Sequence, residues 1–216
     1  MKTLVLVSGG LDSCVALASA VQFFGPDKVL ALTILYGQRH AKEIEAATKI
    51  CKVLGVKQRV VELPGTLLSG NLLTDDSKDI PRVSYNDISG LSPMYVPFRN
   101  GLFLSIAGAI AMQEHCREVR IAVHKNDYIR SAYPDCSLSF CDTMSRAMMI
   151  GTANQVKVVA PFVLMTKKQI VEYGKALDAP MHLSWSCYVG KDTPCGTCPT
   201  CREREEAFDE HQSAVK

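Results

Sequence analysis

The chain has 216 residues, with 24 Lys and Arg against 22 Asp and Glu, a net charge of +2, and 47% hydrophobic residues. That profile describes one ordered domain with room for a small appendage, and it excludes disordered, collagenous and coiled-coil chains. Near-neutral charge argues against direct binding of long nucleic acid, which needs clustered Lys and Arg. No apolar run approaches the ~20 residues of a membrane-spanning helix.

In chain order, residues 2–7 read as a buried strand, entered with a single charge and lacking a signal-peptide cleavage pattern, so a cytoplasmic protein is expected. Cys14, Leu17, Ala18 and Val21 then recur on one helical face, closed by Gly25-Pro26-Asp27. Residues 29–35 form a second strand. A helix follows with Ile44, Ala47, Cys51 and Leu54 inward and Gly55 at its C-cap, and residues 59–63 form a short third strand. The stretch 64–97 lacks a sustained period and reads as a lid or binding loop. Residues 101–113 return to helix period, with Leu102, Ile106, Ala109 and Ile110 expected inward, and residues 119–123 form the next strand. Helix 140–149, strand 156–160 and a helix headed by a Thr166/Gln169 capping box complete the alternation. This order predicts an α/β, Rossmann-like, mostly parallel sheet with helices on both faces and ligands beyond the carboxyl ends of the strands.

Between the first strand and helix lies Ser8-Gly9-Gly10-Leu11-Asp12-Ser13. Paired glycines turn the backbone amides inward and the helix adds its positive N-terminus, so the loop suits a phosphate or pyrophosphate. A Walker loop would need a lysine where none lies between Lys2 and Lys28, and a dinucleotide fingerprint would need glycine at Cys14.

Four of the nine cysteines crowd together as Cys187-x7-Cys195-x2-Cys198-x2-Cys201, amid Gly190, Pro194, Gly196 and Pro199. Four thiolates with short turns between them suit a closed, structural zinc site, with an iron–sulfur cluster as the rival. Division at residue 180 is expected: residues 1–180 as the nucleotide domain, and 181–216 as a zinc-binding segment and helix too short to bury its own core. The other cysteines read as small core residues.

The loop Ser8-Gly9-Gly10-x-Asp12-Ser13 resembles that of the PP-loop ATP pyrophosphatases. Together with the cysteine cluster and the segments Tyr36-Gly37-Gln38-Arg39-His40, Leu73-Thr74-Asp75-Asp76-Ser77, Val96-Pro97-x-Arg99-Asn100, Tyr133-Pro134-Asp135-Cys136 and Trp185-Ser186-Cys187-Tyr188, the chain resembles the QueC family of 7-cyano-7-deazaguanine synthases from Ser8 to Cys201. The resemblance implies an adenine nucleotide alpha hydrolase-like fold and an ATP-dependent C–N ligase of queuosine or related deazapurine biosynthesis. The carboxylate of 7-carboxy-7-deazaguanine would be adenylated and converted by ammonia to the 7-amide, and a second activation would dehydrate the amide to the nitrile.

In that setting Ser8, Ser13 and the amides of Gly9, Gly10 and Leu11 would hold pyrophosphate, while Asp12 would orient the loop or approach Mg²⁺. Gln38 and His40 are candidate nucleotide contacts, His40 alternatively a helix cap. Arg99 would neutralise a carboxylate or phosphate beside Asn100; the alternative is a surface salt bridge and an N-cap. Asp127 and Asp135 would accept hydrogen bonds from a guanine-like base on which Tyr133 stacks. A nucleophilic role for Cys136 is disfavoured, because adenylation makes it unnecessary and no His lies nearby in sequence.

Two departures fall in the base-recognition loop: five residues separate Asp127 from Tyr133 where the family pattern has three, and Ser137-Leu138-Ser139 replaces Arg-Pro-Glu. They make a variant that stops at the 7-amide the main alternative. Other PP-loop enzymes such as tRNA modifiers are a second one. The alternating charges after Cys201 speak against a zinc-ribbon binding module. The resemblance further suggests a homodimer joined through 64–97 or the zinc region.

Overall fold

The computed structural model describes residues 2–38, 41–75, 77–82, 90–189 and 192–209. Five strands, β1 (Lys2–Leu6), β2 (Val29–Leu35), β3 (Lys57–Glu62), β4 (Cys116–Arg120) and β5 (Lys157–Val159), form one sheet in the order β3-β2-β1-β4-β5. Every neighbouring pair is parallel. Parallel strands require crossovers, here supplied by α1 (Leu11–Phe24), α2 (Ala41–Val53), α3 (Arg99–Gln113) and α5 (Leu138–Gly151), with α4 (Lys125–Tyr128) in the loop before α5. Helices α6 (Lys167–Ala176) and α7 (Pro199–Phe208) follow β5.

Strand alternation sends side chains to two cores. Val5, Val7 and Ala31 meet α1, α2, α6 and α7 on one face, whereas Leu4, Leu30, Leu32, Ile34, Val119 and Val158 meet α3 and α5 on the other. Two-sided burial explains why β2 reads Val-Leu-Ala-Leu-Thr-Ile-Leu without polar alternation. The chain runs outward from β1 to β3 and returns to β4, so a crevice opens between the carboxyl ends of β1 and β4.

Several expectations are corrected. The inward face of α3 is Leu104, Ala107, Ile110 and Ala111, while Ala109 is exposed and Leu102 and Ile106 are half-buried. This helix is apolar almost all round, so spacing alone does not select a face. Helix α1 is likewise buried over more than one face, because α6 covers its outer side. Strand β4 begins at Cys116, three residues earlier than expected, with a register irregularity between Lys2 and Thr3 absorbing the polar start. The 64–97 connection carries a small core of its own, in which Leu73, Met94 and Val96 bury against Ala132. The Thr166/Gln169 capping box is present as expected.

Candidate active site

The glycine loop forms the floor of the crevice. Gly9 has φ +95°, and a Cβ there would lie 2.0 Å from the Glu43 carbonyl oxygen, so glycine is what lets the first turn of α2 pack onto the loop. The Gly10 amide donates to Ser8 Oγ at 3.2 Å, Ser13 Oγ donates to the Gly10 carbonyl at 2.9 Å, and the two hydroxyls lie 3.2 Å apart. Gly10 caps α1 without a side chain, which leaves the first amides of that helix available to an anion.

A cavity of about 260 Å³ rises from this floor. It brings together Ser8, Gly10, Leu11, Asp12, Ser13, Gln38, Arg99, Asn100, Asp127 and Tyr133, residues from five separate stretches of chain. Gly9 and Asp135 do not line it, and His40 lies outside the described residues.

Arg99 is half-buried at the start of α3, donates to Tyr36 Oη at 3.1 Å and stacks over Tyr36 and Phe103. Burial works against its charge, but Tyr36 outweighs it and holds the guanidinium protonated. Arg99 lines the cavity, and among the described residues no carboxylate forms an ion pair with it. Asn100 lies inside α3 rather than at its cap, which is Phe98. Its amide N–H donates to Asp135 Oδ2 at 3.0 Å and its side chain to the Asp135 carbonyl and Cys136 Sγ. The Asp135 carboxylate thus serves the N-terminus of α3.

Asp127 accepts from the His124 amide at 3.0 Å while reaching the cavity rim, and Tyr133 accepts from Ser92 Oγ at 2.9 Å. Gln38 Oε1 accepts from the Tyr36 amide at 2.7 Å. Burial, together with Asp127 and Asp135, pushes the Cys136 thiol well above its ordinary range, which leaves it a poor nucleophile.

Asp12 is gripped by Lys167 Nζ at 2.5 Å, with His124 Nε2 at 3.8 Å; Lys167 also reaches Glu203 Oε2 at 3.7 Å. Burial alone would raise the Asp12 carboxyl, but Lys167 and His124 overcome it and hold it below the usual carboxylate range. The second carboxylate oxygen, Oδ1, is buried without a partner.

The ligand sulfurs of Cys187, Cys195, Cys198 and Cys201 all lie within 4.8 Å of one another. Amides of Val189 and Cys195 donate to Cys187 Sγ, and that of Cys198 to Cys195 Sγ. Burial acts against the Cys195 thiolate, yet surrounding Thr197 and Cys198 donors pull its pKa down to about 6. Four clustered thiols with amide support fit a tetrahedral zinc ion and leave no open position. The residues around the cluster also reach the cavity: the Trp185 amide donates to the Gly9 carbonyl at 2.9 Å, and Trp185, Ser186, Tyr188 and Thr200 line one side of it.

Residues 2–212 match the family model described as "Queuosine biosynthesis protein QueC". The chain belongs to the QueC family. Curated 7-cyano-7-deazaguanine synthases similar to this QueC-family chain include that of Archaeoglobus fulgidus, 41% identical over 96% of this chain and 86% of the relative, and that of Campylobacter fetus, 39% identical over 100% and 96%. The synthase of Methanosarcina barkeri is 36% identical over 96% and 94%. Among solved structures, NMN synthetase from Francisella tularensis superposes with a TM-score of 0.54 at 18% identity, covering 90% of this chain and 70% of that one. This likeness supports the adenine nucleotide alpha hydrolase-like fold and nothing finer.

The sequence reading of this QueC-family chain missed Lys167, Glu43, His124 and Glu203. Lys167 was visible only as the residue after a helix cap, and the charges after Cys201 read only as an alternating-sign helix face. In the structure Glu203 turns toward Lys167, and Arg204 Nη1 donates to Ser184 Oγ at 2.7 Å. No local spacing signals these roles, because the sheet assembles them from remote segments.

Proposed function

We propose that this chain makes 7-cyano-7-deazaguanine from 7-carboxy-7-deazaguanine, ammonia and ATP in queuosine biosynthesis, by two successive adenylations in one cavity. The observation that carries the reading is the convergence of the anion-binding glycine loop, Lys167 and Arg99 on a cavity that also offers Tyr133 and Asp127. The loop amides and the hydroxyls of Ser8 and Ser13 receive pyrophosphate as it departs, where fixed dipoles stabilise developing charge without reorganising. Arg99 draws the substrate carboxylate toward the α-phosphorus. Tyr133 stacks on the deazapurine and Asp127 accepts its N–H groups. Gln38 and His40 complete the nucleotide side, and Asp135 acts through α3. The walls from 64–97 and 181–208 exclude the water that would hydrolyse an adenylate.

Mg²⁺ is the cation expected with ATP, and the partnerless Asp12 Oδ1 is the oxygen suited to receive it. Zinc in the closed thiolate set is structural and holds the wall formed by 181–208; it takes no part in the chemistry. In this reading residues 1–180 form the ATP pyrophosphatase domain and residues 181–216 the zinc-binding part. The enzyme works in the cytoplasm, whose reducing poise keeps such thiols available. It takes small-molecule substrates, with no direct nucleic acid or membrane contact. A homodimer through 64–97 is supported by Leu67 and Leu91, each more than half exposed.

The full synthase is favoured over a variant stopping at the amide. Ser137 of the altered loop caps α5 by accepting from the Phe140 amide, and the longer stretch before Tyr133 buries Ala132, while Asp127 and Tyr133 still reach the cavity. Mass spectrometry of products formed from the acid, ammonium and Mg-ATP tests the reading. The nitrile is expected; amide alone supports the truncated activity, and no acid-dependent AMP overturns adenylation.

A further inference from the structure

The ammonia step needs a proton acceptor, and the ordinary candidates in the cavity are engaged. Asp12 is ion-paired with Lys167, Asp127 is hydrogen-bonded to His124, and the Cys136 thiol is held neutral. Glu43 is the other carboxylate on the cavity wall. It stands on the first turn of α2, whose backbone packs directly against Gly9, so its side chain enters the cavity beside the phosphate loop. The groups that act on it are the Arg99 guanidinium from α3 and the Tyr36 phenol at the end of β2.

We propose that Glu43 is the general base of the ammonia step. The inference rests on the adenylation reading above. Ammonia attacks the acyl carbon of the adenylate and a C–N bond forms. The C–O bond to AMP breaks, AMP leaves with that electron pair, and the proton shed by nitrogen passes to the Glu43 carboxylate and then to solvent. Burial outweighs the pull of Arg99 and raises the carboxyl to about 7, which matches a base that must accept and release a proton near neutrality.

The test separates the two half-reactions in Glu43→Gln, a substitution that keeps size and shape. Adenylation is read as ATP–pyrophosphate exchange dependent on 7-carboxy-7-deazaguanine, and the ammonia step as single-turnover amide formation. General bases contribute about 10²–10⁴-fold, so amide formation is expected to fall by at least ~100-fold relative to exchange. Equal loss of both half-reactions would overturn the proposal in favour of phosphate or metal binding, and loss of neither would overturn it outright. If Glu43→Gln does not fold, the unsubstituted enzyme carries the test: at fixed free ammonia, its amide-forming rate should fall as pH drops through about 7. A flat profile would contradict the proposal. Absence of exchange in the unsubstituted enzyme would instead refute the adenylation reading itself.

Discussion

At the residue scale, the cavity combines a carboxylate held charged with one held near neutrality. Lys167 anchors Asp12 beneath the glycine loop and lines the cavity. Replacing Lys167 with Met should reduce acid-dependent pyrophosphate exchange by about 10²-fold, the scale seen when one preorganised charge-stabilising group is removed. Steady-state exchange with a circular dichroism control for folding checks this. Glu43 carries a separate stability signature. Its folded-state pKa is raised from the ordinary 4.5 to about 7, so the folded chain binds more protons than the unfolded chain between those values. Stability contributed by this group is therefore lost as pH rises through that window. Thermal melts at pH 5 and pH 8 should show Glu43→Gln gaining on the parent at the higher pH; an unchanged difference would refute the shift. Gly9→Ala combines a left-handed backbone with a collision against Glu43, and should cost at least about 2 kcal/mol in a denaturant melt. The loop from Ser8 to Ser13 was readable in sequence because its chemistry is local. Lys167 and Glu43 were not, since each gains its role from a partner brought in by the sheet or by helix packing.

At the element scale, legibility followed the strength of periodicity and capping. Strand β2 matched its expected bounds, and the cap at Thr166 marked α6 correctly, because β-rich runs and capping boxes are short-range signals. The face of α3 was misread because an all-round apolar helix has no polar side to orient it. Helix α7 was expected as a C-terminal helix with alternating charges, and the structure adds that Ala207 is buried and Phe208 half-buried in the core shared with α1 and α6. That helix joins the cysteine cluster to the phosphate loop through Glu203 and Lys167, while Trp185 bonds to Gly9. Metal removal should therefore act on nucleotide binding as well as on stability. A strong chelator, or Cys198→Ser, is expected to lower the melting temperature and abolish the stabilisation given by Mg-ATP, since structural zinc contributes on the order of 10 kcal/mol to such segments. Retention of full ATP protection by metal-free protein, measured by differential scanning fluorimetry, would refute this coupling.

At the scale of the whole molecule, the sheet order β3-β2-β1-β4-β5 places the crevice, and Leu73 from the 64–97 connection together with Trp185, Ser186, Tyr188 and Thr200 lines its wall. The alternation of strands and helices announced this architecture in advance. The stretch 64–97 read as a lid or binding loop from its lack of period; that Trp185, Ser186, Tyr188 and Thr200 line the same cavity did not show in sequence, because it depends on how irregular chain folds back over the sheet. Two successive adenylations are the central claim, and counting AMP per nitrile tests it most directly. Starting from 7-carboxy-7-deazaguanine, the account predicts two AMP and two pyrophosphate per nitrile, and starting from the 7-amide, one of each. ADP in place of AMP, or an amide that is formed and never consumed, would contradict it.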